Sequence, residues 1–181
     1  MKSTVPGFTP KELRKLRSLK DPHGVQKFLD AMPYHLADTS WSPRRVLQEN
    51  TSHCFEGAML AAAALRANGY PPLVMDLEAE RDTDHVVAIY RIKGHWGAVA
   101  KSNYTGCRYR EPVYRTLREL ALSYFDVYFN LLGERTLYRD LLRKLSEHRD
   151  DLVYRNVRAR MSAKGVLAKG ALERIVCPGT L

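Results

Sequence analysis

At 181 residues with 45% apolar side chains, the chain suits one domain with a proper core plus a short appendage. No run is long enough to cross a bilayer, the first twenty residues lack the apolar centre of a signal peptide, and three widely spaced cysteines do not make a disulfide framework, so the expected setting is reducing and cytoplasmic. The net charge of +9 sits on the two ends: nine basic residues stand against five acidic in 1–50, ten against ten in 51–138, and ten against five in 139–181. With no aromatic-interleaved or helix-turn-helix pattern beside it, that basic periphery reads as a solvated face rather than a nucleic-acid surface.

Residues 1–9 read as a loose arm with a turn at Pro6-Gly7. Thr9-Pro10-Lys11-Glu12 opens a first helix, with Thr9 as N-cap and Glu12 as its capping-box partner; Leu13, Leu16 and Leu19 form its apolar stripe. Asp21-Pro22 opens a second helix, lined by Val25, Phe28, Leu29 and Met32 and ending at Pro33. Residues 34–42 are an irregular connector with Trp41 as a core plug, and Ser42-Pro43 opens a short third helix through Val46 and Leu47.

The next stretch, from Thr51 to Leu65, is the centre of the chain. Thr51 or Ser52 can cap a helix in which Ala58, Ala61, Ala62 and Leu65 repeat on one small apolar face. Cys54 falls in its first turn, where unsatisfied N–H groups and the positive dipole end favour a thiolate. Asn68-Gly69 stops the helix and Pro71-Pro72 forces an extended exit. Strands follow at 73–77, 85–92 and 95–102, the last two joined as a hairpin at Lys93-Gly94, with a polar loop over 78–84. A long helix is expected over 114–129 and another over 136–148, before a basic tail of weak periodicity. The chain divides into an N-terminal helical segment 1–42, a core 43–148 and the tail 149–181.

A first-turn thiol followed by a strand that opens with Asp84-His85 is the constellation that carries chemistry. A thiol nucleophile needs an imidazole to accept and return its proton, and the imidazole needs an acceptor on its other nitrogen. A two-residue turn at Lys93-Gly94 sets His85 opposite Ser102; one residue more shifts the partner to Asn103 or Lys101. Lys101 has no acceptor, so the third member is Asn103 or Ser102, and Asn103 is the better acceptor. Cys107 and Cys177 lie outside this constellation and read as structural or incidental. A zinc site from His53, Cys54 and His85 lacks the paired spacing of zinc motifs, and no glycine-rich phosphate loop appears.

The stretches HCFEGAMLAAAALRANGYPPLVMDL, DHVVAIYR, WGAVAKSNY and YREPVYRTLRELALSYF resemble the transglutaminase-like superfamily of papain-type cysteine enzymes, in particular small bacterial transglutaminase-like domains, over roughly residues 43–130. The resemblance implies an α+β papain-like fold: a helical N-terminal part, then a cysteine-bearing helix packed on a small antiparallel sheet. It also implies acyl transfer or amide hydrolysis through a thioester, with Cys54 as nucleophile, His85 as general base and acid, and no cofactor. The substrate would be a peptide, a protein or a small amide. The family's aspartate, four residues after the tryptophan, is Ala100 here, and no Asp or Glu lies between Asp84 and Glu111, so the third role is expected of Asn103 or Ser102. A fold that kept its shape and lost turnover, as a binding or scaffold module, is the rival expectation. Gln48 stands six residues before Cys54, where papain-type proteases place an oxyanion glutamine, and reads equally well as an exposed helix residue.

Overall fold

The computed structural model describes residues 5–133 apart from 6, 78, 80, 81, 130 and 131. The helix expected over 136–148, the basic tail and Cys177 lie outside the described residues.

Within them the fold is α+β, with five helices and one four-stranded antiparallel sheet. α1 (Pro10–Ser18) starts on the full capping box of Thr9 and Glu12. α2 (Pro22–Asp30) starts on Asp21, whose carboxylate accepts from Gly24 N–H at 2.8 Å, and α3 (Pro43–Glu49) on Ser42. Each opens with proline at its first position, where the missing N–H costs nothing. Val5 of the expected arm is buried in the core beneath these helices.

The central helix α4 (Cys54–Ala67) departs from expectation at its start and around its circumference. Its N-cap is His53, without a side-chain cap, and not Thr51 or Ser52. Ser52 is drawn instead into a bridge with Tyr34: Ser52 N–H donates to the Pro33 carbonyl at 3.4 Å and His35 N–H to the Ser52 carbonyl at 3.2 Å. Every residue from Glu56 to Ala67 is buried, so the helix has no solvent face where a single apolar face was expected. A helix apolar all round belongs inside, and α1, α2, α3 and the sheet enclose this one.

The strands β1 (Leu73–Leu77), β2 (His85–Ile92), β3 (His95–Val99) and β4 (Arg110–Tyr114) lie side by side in chain order. Lys93 (φ 48°) and Gly94 (φ 83°) form the two-residue turn, and the register runs from Ile92 opposite His95 to Ala88 opposite Val99. Two positive φ values are what a tight hairpin needs to match strand twist. Val86, Ala88 and Tyr90 face α4, whereas Val87 and Ile89 face the other side, where Leu117, Leu120, Ala121 and Tyr124 cover them. The helix expected over 114–129 is shorter: Tyr114 ends β4, α5 spans Leu117–Leu122, and a 3₁₀ turn follows over Phe125–Val127.

β3 stops at Val99, three residues before the expected end. Gln26 of α2 takes over both backbone groups of Ala100, accepting from its N–H and donating to its carbonyl at 3.0 Å each. Lys101 then buries its ammonium against the Leu29 carbonyl (2.8 Å) and the Met32 carbonyl at the end of α2, where a cation meets the negative pole of the helix. The chain is thereby peeled off the sheet before it comes opposite His85.

Gly97 sits at a close approach of neighbouring strands. A Cβ there would stand 2.5 Å from the Tyr90 ring and 2.7 Å from the Arg110 carbonyl, a backbone atom of β4. Gly97→Ala is expected to cost about 1–3 kcal/mol in urea unfolding, the range for overpacking a closed site; an unchanged midpoint would show that β4 shifts freely.

Candidate active site

Cys54 is half-buried at the first position of α4, against the entrance of β2. Its thiol donates to the Asp84 carbonyl at 3.9 Å. Burial pushes its pKa above the ordinary thiol value; the N–H groups of Val86 and Phe55 pull it down without cancelling that rise. The helix-terminus environment is therefore outweighed by desolvation, and the resting group is a thiol.

His85, 4% exposed, belongs by strand alternation to the face that α5 covers. Its ring lies 6.2 Å from the rings of both Tyr124 and Tyr128. Burial lowers its pKa to about 4, against the pull of the Cys107 carbonyl toward the charged form, and Arg110 lowers it further. At neutral pH the ring is neutral. Its Nε2 bonds to the Cys107 carbonyl at 2.7 Å. A carbonyl only accepts, so Nε2 carries the proton and Nδ1 is the basic nitrogen.

That bond corrects the expected third member. Asn103 is exposed, and the Ser102 hydroxyl accepts from Tyr104 N–H at 3.0 Å. Neither takes the ring proton, because the peeling of residues 100–102 toward α2 removes the cross-strand partner on which that role depended. The acceptor is a main-chain carbonyl, which no residue type announces. It is held firmly. The 3₁₀ turn Thr105–Cys107 presents it, Arg110 Nη2 donates to the neighbouring Gly106 carbonyl at 2.8 Å, and Arg110 Nε donates to Ser123 Oγ at 2.9 Å. The Arg110 guanidinium also lies 3.9 Å over the Tyr124 ring. Its place beside Glu111 and Pro112 carried no signal of this role.

Thiol and imidazole thus stand at the same end of β2 without meeting: α4, which bears Cys54, covers one face of the sheet, His85 belongs to the other, and their hydrogen bonds go to the Asp84 and Cys107 carbonyls and not to each other. Tyr128 spans the same end, its phenol donating to the Thr83 carbonyl. Asp84 closes the β1–β2 loop by accepting from Ala79 N–H at 3.0 Å.

Behind Cys54 lies Glu56, fully buried. It accepts from the Thr39 hydroxyl at 2.6 Å and Trp41 N–H at 2.8 Å, and faces His35 Nδ1 at 3.4 Å and His53 Nε2 at 3.5 Å. Burial raises its pKa, but those hydrogen bonds and His53 outweigh it, and the net shift is downward. Glu56 ties the 34–42 connector to the start of α4. Trp41 is only half-buried, with the His35 ring tilted against it at 4.4 Å and the Arg45 guanidinium over its ring at 4.5 Å.

Tyr34, which the sequence did not single out, is the other neighbour of the thiol. The bridge to Ser52 fixes its backbone beside the residues that lead into Cys54, and burial, with the charge of Cys54 adding to it, pushes the phenol pKa up to about 12. Gln48 is turned away, donating to Glu12 Oε1 at 2.9 Å, as an exposed helix residue would. Among the described residues no cluster of three or more His, Cys, Asp or Glu could hold a metal ion, and no helix is long and apolar enough to cross a membrane. No protein-family model matches this chain, and no curated protein matches it significantly.

Proposed function

We propose that the protein is a cysteine-dependent amide hydrolase or acyltransferase of transglutaminase-like type, working through a thioester on Cys54. The observation that carries this reading is the thiol at the first position of α4, seated against the entrance of the strand that opens with His85, a neutral imidazole held by the Cys107 carbonyl. A neutral thiol and a neutral imidazole call for general-base attack rather than a standing ion pair. In this reading the thiol proton passes to His85, whose ring must first be brought to the thiol's side of β2, as Sγ bonds to the carbonyl carbon of the substrate. The tetrahedral intermediate then collapses, the C–N bond breaks, and the leaving amine takes the proton back. Water or a second amine releases the acyl group by the reverse sequence. The carbonyl of Cys107 holds the imidazole in this tautomer, the task that an aspartate or asparagine performs elsewhere. A peptide, a protein amide or a small amide satisfies these steps equally.

A second reading, a binding or scaffold domain without turnover, is favoured by the same neutrality, since neither group is activated at rest. The two part on one experiment. At neutral pH, p-nitrophenyl acetate is expected to acetylate Cys54 with a burst of nitrophenolate, found by mass spectrometry on the peptide containing residue 54. Cys54→Ala should abolish the burst and the double change Cys107→Ser, Cys177→Ser should keep it. Alkylation by iodoacetamide should be slow at neutral pH and climb only above the usual thiol range, as burial of Cys54 requires. Equal nitrophenolate release from the native chain and Cys54→Ala would leave the scaffold reading.

A further inference from the structure

His85 is the first residue of β2 and forms the end pair of its ladder with β1, opposite Leu77. A residue at the end of a ladder can turn to the other face at the cost of few ladder bonds, so its face is fixed by whatever holds its side chain. Here one short segment does the holding: residues 123–128, which run on from α5 through the 3₁₀ turn. The rings of Tyr124 and Tyr128 each lie 6.2 Å from the imidazole, and the Tyr128 phenol donates to the Thr83 carbonyl just ahead of it. The same segment holds the turn whose carbonyl takes the Nε2 proton. The Tyr124 phenol donates to the Arg108 carbonyl at 3.0 Å, and the Val127 carbonyl accepts from the Cys107 thiol at 3.8 Å.

Arg110 fastens segment and turn together. Its own backbone is fixed in the sheet, paired with Ala98, and its carbonyl accepts from the Tyr90 phenol at 3.0 Å. From that post the guanidinium donates through Nε to Ser123 Oγ at 2.9 Å, and through Nη2 to the Ser123 carbonyl at 3.0 Å and the Gly106 carbonyl at 2.8 Å. A rigid fork engages both elements at once, so both come loose when it is withdrawn.

We propose that residues 123–128 form an autoinhibitory strap, buckled by Arg110, that parks His85 on the face of the sheet away from Cys54. This rests on Cys54 being the nucleophile and His85 its base. With the strap fastened, the imidazole bonds to the Cys107 carbonyl and the thiol to the Asp84 carbonyl, and no proton passes between them. With it loosened, the turn 105–107 and the imidazole bonded to it move together round the end of β2 to the thiol. The parked form dominates at rest, and the rate of acyl transfer follows the fraction released.

The test follows acetylation of Cys54 in the full chain by p-nitrophenyl acetate at neutral pH. Arg110→Met keeps an unbranched stem and deletes the donors. Its Cys54 is expected to acetylate about 10-fold faster than the native one, the effect of losing one hydrogen bond to a charged group. Adding His85→Gln to Arg110→Met should erase the gain, since the imidazole is what the strap releases. Ser123→Ala, which removes one acceptor and leaves the guanidinium in place, should give a smaller gain. Acetylation of folded Arg110→Met no faster than that of the native chain would overturn the strap. So would a gain that survives His85→Gln, which marks a loosened fold that merely exposes the thiol. Where Arg110→Met fails to fold, the absence of any gain in Ser123→Ala overturns it instead. If neither the native chain nor Arg110→Met gains an acetyl group on Cys54, the nucleophile reading fails and takes this one with it; a native burst that Arg110→Met does not quicken refutes the strap alone.

Discussion

Acidifying the protein from neutral pH to about pH 4 is expected to remove about 3 kcal/mol of stability through His85 alone. The ring is held neutral in the fold, with a pKa lowered to about 4 from an ordinary 6.5, chiefly by burial. Between those values the unfolded chain binds a proton that the folded chain refuses, so stability is complete above the unfolded pKa and drains away as pH falls toward the folded one. About 2 kcal/mol is lost by about pH 5, above the range in which ordinary carboxylates titrate. Urea unfolding at pH 7.5 and pH 5 measures this loss as a difference of free energies. His85→Gln, whose amide can still donate to the Cys107 carbonyl, should lose far less over the same interval. An identical loss in both chains would mean that the ring titrates normally and is not sealed beneath Tyr124 and Tyr128.

Glu56→Ala is expected to destabilise the fold by about 3–5 kcal/mol, the combined effect of two buried hydrogen bonds to a charged acceptor. The change strands the Thr39 hydroxyl and the Trp41 N–H and releases His35 and His53 from the anion between them. Glu56→Gln retains an acceptor and should recover part of the loss. The carboxylate acts in a lower pH window than His85. Its folded pKa lies below the ordinary carboxylate value, so its contribution is present above that value and disappears as pH falls through the lowered one. Thermal unfolding near neutral pH checks the first effect; a loss below about 1 kcal/mol would show that the connector rearranges to satisfy those donors.

What the residues announced and what they concealed divides along physical lines. The caps at Thr9, Asp21 and Ser42, the stop at Asn68-Gly69 and the turn at Lys93-Gly94 were legible because each is a local device whose residue type does the work. The cap of α4 was not, because the hydroxyl side chains that would have supplied it were placed by tertiary contacts: Ser52 serves the bridge to Tyr34 and donates to Met32 Sδ, and Thr51 Oγ1 donates to the Pro33 carbonyl. β4 was hidden by Pro112 and by its charged residues, both tolerated because the strand is at the sheet edge. At the candidate site, Cys54 at the start of a helix and His85 at the start of a strand were legible, whereas the face of the sheet to which His85 turns was not. The acceptor of the imidazole proton was not, since a carbonyl of Cys107 offers no side-chain signature, and the register that pointed to Asn103 or Ser102 failed where Gln26 captures Ala100.

The enclosure of α4 bears on how sequences related to this one will diverge. With no outward position between Glu56 and Ala67, there is nowhere along that stretch for a bulky or charged replacement to go unnoticed, and drift there is confined to small apolar exchanges. Similarity concentrated in those alanines therefore testifies to packing and is silent about chemistry. Inheritance of the proposed thiol chemistry is better judged at scattered, less crowded places: a thiol at 54, an imidazole at 85, and the guanidinium at 110 that steadies the turn beneath it.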